Sequence, residues 1–355
     1  MNNKVSEREV MTPKGVVTLF VIENGNGNLV ELSTLGAGIT RIVVPDKEGK
    51  PTDVVLGYEN VEDYFYDSPC AGKTPGRFAN RIAKGRFNID GNAYQLQCNN
   101  GENALHGGPE GFHNRIWNYQ VIERGVRFFY LSHDGEEGYP GNLTVRVTYS
   151  WDDDDRLSID YEAECDAPTI VNLTNHAYFN LRGGEGTCLD HYLMINASER
   201  VQTDDSDIPT GLILPVEGTP FDFRTSKTLG KDIDIDFENL KVGKGYNHYF
   251  FVDGWNKERK GRLGEKQSAS LWCEKTGIRV DVETTYPGMM LYTGNWLDDS
   301  PRGRNGIIYR DYSGVAIECQ LPPDAPNHKN FPSAELRPGG KYHYKISYLF
   351  LNTIR

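Results

Sequence analysis

Apolar residues along the chain recur in short alternating runs, and no window sustains the spacing of a long amphipathic helix. Between residues 16 and 44 the chain reads Val-Val-Thr-Leu-Phe-Val-Ile and then Leu-Val-Glu-Leu-Ser-Thr-Leu, separated by Gly and Asn. Such runs predict strands joined by tight turns. Asp90-Gly91 sits between Gly-Arg-Phe-Asn-Ile and Asn-Ala-Tyr-Gln-Leu-Gln, which predicts a hairpin, because both turn positions tolerate positive φ. Three more alternating runs fall between residues 127 and 164, with the acidic 152–155 cluster placed at a turn and read as a solvated loop tip. Further strands are expected at 269–274, 278–284, 289–293, 314–321 and 342–352, and a brief helical turn at 60–66. The run 204–219 reads as an ordered loop and 254–268 as an exposed hairpin loop. Many short strands without a break in composition predict an all-β chain with few short helices. The expected architecture is one large antiparallel β-sandwich, a single domain over residues 1–355.

One run, residues 171–181, departs from ordinary surface chemistry. Alternation along a strand puts Asn172, Thr174, His176, Tyr178 and Asn180 on one face, and Val171, Leu173, Ala177 and Phe179 on the other. Water-facing strands carry Lys, Glu and Thr more than Asn, His and Tyr, so this row suits a cleft wall. His176 there is either a general acid or base or a structural hydrogen-bonder. Glu318 interrupts an apolar strand and is expensive there unless paired or used, with a water-facing edge strand as the plain alternative. His106 precedes Gly107-Gly108-Pro109, where glycines let the backbone turn tightly and bring an imidazole to a cleft, or merely cap a turn. Arg81 and its neighbour Asn80 can either bind neutral hydroxyls or form a surface pair.

Composition narrows the partners. The 355 residues are 38% hydrophobic and 25% charged, an ordinary globular balance. A net charge of -12 argues against nucleic acid and anionic membrane surfaces, which require clustered Lys and Arg. Residues 1–14 lack an apolar signal region and no run of 18 apolar residues occurs, so a cytoplasmic location is expected. Six cysteines without paired spacing suggest neither a zinc site nor a disulfide framework.

Four segments in order, Gly-Arg-Phe-Ala-Asn-Arg-Ile, Asn-Ala-Leu-His-Gly-Gly, Asn-Leu-Thr-Asn-His-Ala-Tyr-Phe-Asn-Leu and Glu-Cys-Gln-Leu-Pro-Pro-Asp-Ala-Pro-Asn-His, resemble the aldose 1-epimerases, or galactose mutarotases. Asp207-Ile-Pro-Thr-Gly, Thr219-Pro-Phe-Asp-Phe-Arg, Tyr292-Thr-Gly-Asn and Asn330-Phe-Pro-Ser-Ala-Glu-Leu-Arg-Pro-Gly agree more loosely. The resemblance implies a β-sandwich with a sugar cleft, His176 as acid, Glu318 as base, and Asn80, Arg81, His106 and Tyr178 around a monosaccharide. It implies interconversion of α and β anomers by opening and reclosing the ring, for which no metal or organic cofactor is required. A monomer or homodimer is expected.

Two positions depart from the family pattern. The usual Gly-x-Asp-His is Gly245-Tyr246-Asn247-His248, which keeps an acceptor but loses its charge, so altered sugar binding is expected. The usual Gln before Pro-Gly is Tyr286, whose ring could stack on a sugar face. Three competing readings remain: a non-catalytic sugar-binding module, a hexose 6-phosphate 1-epimerase using Arg77, Arg81 and Arg115, and a glycoside hydrolase. The last normally needs two opposed carboxylates, and only Glu318 is clearly placed.

Overall fold

The computed structural model describes residues 4–238, 240–241, 243–255 and 266–352. Among them, the largest sheet has nine antiparallel strands, and its middle shows why the sequence alternates as it does. In Leu143–Trp151 every odd residue is buried and every even one is partly exposed. Thr, Arg and Ser meet water while Val145, Val147, Tyr149 and Trp151 enter the core. This strand pairs with Arg156–Cys165 across the acidic turn, where the Asp152 carboxylate accepts the N–H groups of Asp154 at 3.0 Å and Arg156 at 2.9 Å. The 152–155 run is therefore a turn held by its own side chains.

A second sheet of six strands runs in the order Tyr178–Phe179, Val315–Gln320, Gly288–Tyr292, Asn247–Phe251, Glu199–Thr203 and Pro209–Pro215. A third, of five strands, holds the amino-terminal runs from Lys4–Thr12 to Pro51–Asp53. One apolar cluster joins all three, with Phe20 and Ile22, Val145 and Val147, and Ile317 and Cys319 among its members. The result is an antiparallel β-sandwich. Helix is confined to short 3-10 turns, including Val61–Phe65 in the predicted place, and Arg86–Ile89 pairs with Asn92–Gln95 around Asp90-Gly91 as expected. No helix among the described residues is long and apolar enough to cross a membrane.

Two expectations need correction. Residues 171–181 do not run as one strand: only Tyr178–Phe179 joins a ladder, and Asn172 makes a single bridge to Phe78. Side-chain amides replace the ladder. Asn172 Nδ2 donates to Ala79 O at 3.1 Å and Leu321 O at 3.2 Å, Asn175 Nδ2 to Gly72 O at 2.7 Å, and Asn180 Nδ2 to Ser313 O at 2.7 Å. These asparagines therefore brace the backbone instead of lining a cleft. The predicted loop over 204–219 also contains a strand, Pro209–Pro215, on the sheet edge, beyond a register shift between Val201 and Thr203. Of the expected hairpin loop at 254–268, residues 256–265 lie outside the described residues.

Candidate active site

Glu318 sits in the interior of the six-stranded sheet, not at its edge. Its strand is buried along its whole length, flanked by Tyr178–Phe179 and Gly288–Tyr292. Val315, Ile317 and Cys319 join the main core, so the alternate residue Glu318 projects from the opposite face. There it helps line a cavity of about 380 Å³, a typical size for a small-molecule site. The cavity brings together Asn80, Arg81, His106, His176, Tyr178 and Asn247 from segments far apart in the chain.

His176 is fixed by its backbone. Its N–H donates to Lys73 O at 3.0 Å and its carbonyl accepts Gly72 N–H at 2.9 Å, clamping it to residues 72–73. That segment is anchored in turn by Lys73, a buried ammonium bonded to the Asp67 carboxylate and, at 2.6 Å, to Tyr64 O. The ring of His176 lies 4.9 Å from that of Tyr178 and 5.3 Å edge-on from that of His106. The Tyr178 hydroxyl donates to Pro69 O at 3.1 Å, which ties this wall to the same segment.

Nε2 of His176 stands 3.5 Å from Oε1 of Glu318, and both residues are at most 4% exposed. His176 Nδ1 and Glu318 Oε2 have no hydrogen-bond partner among the described residues. Burial penalises both charged forms. It pushes Glu318 up to about 8, against the opposing pull of Arg81, and His176 down to about 4, with the Lys73 cation adding to the fall. Between those values the pair holds one proton and one vacant acceptor.

The other side is made by a reciprocal backbone lock. Asn80 N–H donates to His106 Nδ1 at 3.1 Å and His106 N–H to Asn80 O at 3.2 Å, with both residues in the left-handed region at φ 67 and 52. Accepting at Nδ1 leaves Nε2–H as the donor of the neutral imidazole. Burial, reinforced by His176, holds the His106 ring well below its ordinary pKa and so keeps it neutral. Gly107 follows at φ +88, where a Cβ would fall 1.9 Å from Gly76 O, so no larger residue fits. Arg81 donates from Nε to Asn100 Oδ1 at 3.0 Å.

Asn247 reaches the cavity, and it is paired. Its Nδ2 donates to Asp207 Oδ2 at 2.9 Å, and the same oxygen lies 3.2 Å from an Arg81 terminal nitrogen. Asp207, Tyr292 and Trp296 line the cavity but are not among the site residues expected from the sequence. Two of them lie in segments that already match the family loosely, Asp207-Ile-Pro-Thr-Gly and Tyr292-Thr-Gly-Asn. Tyr286 is placed elsewhere. It is fully buried, its hydroxyl donates to Leu173 O at 2.8 Å beside the Tyr342 hydroxyl, and its ring stacks on Tyr344 at 4.2 Å. A ring closed on both sides by core cannot stack on a sugar.

The family model described as aldose 1-epimerase matches residues 18–349. Galactose mutarotase of Mus musculus is 44% identical over 322 residues, covering 90% of each chain. Aldose 1-epimerase of Escherichia coli K12 is 37% identical over 353 residues, covering 98% of this chain and 99% of that one. Among solved structures, an aldose epimerase homologue from C. elegans superposes with a TM-score of 0.84 at 32% identity, over 99% of both chains. Galactose 1-epimerase from Lactobacillus acidophilus gives 0.84 at 27%, again over 99% of both. Alike from end to end in sequence and in fold, the chain belongs to the aldose 1-epimerase family.

Proposed function

We propose that this protein interconverts the α and β anomers of a free aldose, with His176 and Glu318 as the proton-transfer pair. The observation that carries the reading is the buried pairing of His176 Nε2 with Glu318 Oε1 at 3.5 Å in a sugar-sized cavity, with His176 Nδ1 and Glu318 Oε2 left without partners among the described residues. In the opening step, once the shared proton has passed from Glu318 to His176 across their 3.5 Å contact, the Glu318 carboxylate takes the proton of the C1 hydroxyl while the His176 imidazolium gives one to the ring oxygen. The C1–O5 bond breaks and C1 becomes an aldehyde. The pair starts and ends with one proton, and at the open-chain stage both partners are neutral, the form that burial favours. Rotation about C1–C2 presents the other face, and the transfers run backwards to close the ring. Each positioned group supplies roughly 10²–10⁴-fold. His106 Nε2–H and Arg81 act as donors to sugar oxygens.

The competing readings find less support. Arg77 is sealed among Pro140 O at 2.8 Å, Gly141 O at 3.0 Å and the Ser132 hydroxyl, and Arg115 pairs with Glu136 at 3.1 Å. With Arg81 held by Asn100 and Asp207, the three form no cluster for a phosphate dianion. Asp207 gives the cavity a second carboxylate, but it is ion-paired with Arg81, and the group opposite Glu318 is an imidazole. We place the protein in the cytoplasm as a one-domain enzyme, a reading supported by its six free thiols and by the largest of its core clusters, which joins the three main sheets.

Polarimetry of freshly dissolved α-glucose, α-galactose, xylose, arabinose and fucose tests the reaction. Acceleration of at least one is expected, and loss of that acceleration in His176→Ala. Acceleration of none would overturn it.

A further inference from the structure

We infer that Asp207 is a specificity-determining residue: its carboxylate, held by Asn247 and Arg81, accepts hydroxyls on the sugar remote from the anomeric carbon. This rests on the sugar-site reading above and says which residue does the reading of the sugar. Three observations carry it.

The first is position. Glu318 pairs with Met290 across the ladder, and Asn247 pairs with Tyr292 two residues further along. Directly paired residues share a face, so Glu318, Tyr292 and Asn247 all look into the cavity. Asn247 is two strands and two residues from Glu318, roughly 12 Å between Cα atoms at ordinary sheet spacings. With side chains reaching inward from both ends, one sugar ring fits between the proton-transfer pair and the Asp207–Asn247 end.

The second is how the carboxylate is bonded. Asn247 and Arg81 both converge on Oδ2, at 2.9 and 3.2 Å, while no described residue is bonded to Oδ1. Asp207 lines the cavity with its side chain 24% exposed. An ionised carboxylate accepts hydrogen bonds only, so a spare oxygen beside a guanidinium offers an acceptor and a donor side by side, which matches two neighbouring hydroxyls.

The third is the backbone. Asp207 takes φ 59 and donates its N–H to Asp204 O at 3.0 Å, which closes a turn just ahead of the edge strand Pro209–Pro215. Asp tolerates this left-handed conformation better than most residues, and the turn aims the side chain back across the sheet toward Asn247. The negative charge expected at position 247 from family resemblance is thus supplied from a turn at the sheet edge, through Asn247 as intermediary.

The test separates binding from chemistry. Asp207→Asn keeps shape but loses charge, and should raise KM about ten- to a hundredfold with kcat little changed. Binding of methyl α-glucoside and methyl α-galactoside, which cannot open, followed by calorimetric titration, should weaken equally. The wild type should discriminate against 3-deoxy and 4-deoxy sugars, and Asp207→Asn should lose that discrimination, a readout that a merely structural role would not move. The double variant Asp207→Leu with Asn247→Asp, which moves the carboxylate across the 2.9 Å contact, should recover part of the affinity. Unchanged KM and retained discrimination in Asp207→Asn, with the wild type active, would overturn the inference and leave the epimerase reading standing. A wild type that turns over no aldose but binds the methyl glycosides through Asp207 would do the reverse. No glycoside binding by the wild type overturns both.

Discussion

Two strands of equal regularity, Leu143–Trp151 in the nine-stranded sheet and Val315–Gln320 in the six-stranded one, are used in opposite ways. The first alternates buried and half-exposed residues, the mark of a sheet with one wet face. The second is buried at every residue, and carries a carboxylate and an amide, Glu318 and Gln320, that lack full partners among the described residues. Burying polar groups without partners opposes folding, so Val315–Gln320 holds its carboxylate and amide at the expense of stability, whereas the polar atoms that Leu143–Trp151 buries, Tyr149 Oη and Trp151 Nε1, each donate to a backbone carbonyl. One strand thus carries polar groups for a task other than packing, and the other is spent on packing.

The sharpest way to break that contrast is Glu318→Gln. We expect kcat to fall by roughly 10²–10⁴-fold or more, with Tm unchanged or raised, since a buried ionisable group is replaced by a neutral isostere. A large fall in Tm would mean the carboxylate is structural. In the wild type, kcat/KM should be bell-shaped, falling below about 4 as His176 takes a second proton onto the pair, and above about 8 as Glu318 loses the shared one. The upper limb should vanish in Glu318→Gln. The two limbs belong to the pair jointly.

Lys73→Met tests the support beneath His176. Breaking a buried ion pair strands Asp67 and should cost about 3–5 kcal/mol. Burial already raises the Asp67 carboxyl to about 6, so the loss should shrink as pH falls and Asp67 takes up a proton. Loss of the cation should also move the acid limb of the pH profile upward, toward the ordinary histidine value. On the other sheet, Leu157→Ala should cost about 2–5 kcal/mol by chemical denaturation while KM and kcat hold, because the side chain is wholly within the core. A changed KM would show that the scaffold reaches the site. The smallest effect belongs to Tyr286→Phe, which gives up the bond to Leu173 O for about 1 kcal/mol and should leave KM for every sugar unchanged.

The middle of the nine-stranded sheet is legible in the sequence, because a period of two follows directly from one dry face and one wet face, whereas its short outer strands Asn118–Ile122, Tyr192–Ile195 and Lys227–Thr228 offer too few alternations to read. The Asp90-Gly91 hairpin was equally plain. Residues 171–181 misled for a physical reason: asparagine side chains can satisfy the backbone as a ladder would, so alternation there encoded bracing and only His176 and Tyr178 met the cavity. Single positions fared unevenly. His176 and Glu318 carry a recognisable chemistry within recognisable segments. Asp207 was hidden because its meaning depends on Asn247, forty residues on, and a contact from a turn to a strand end leaves no periodic trace. Tyr286 shows the converse error, a family position read as sugar contact where the tyrosine turned into the core.

The register shift between Val201 and Thr203 loosens the outermost pair of the six-stranded sheet just where the 204–208 turn leaves it. Substitutions or insertions in that turn meet no buried ladder and leave the strand of Glu318, four places inward, undisturbed. Under selection, or in a directed-evolution library, the range of sugars accepted can therefore drift through this one turn while the reaction itself is inherited intact.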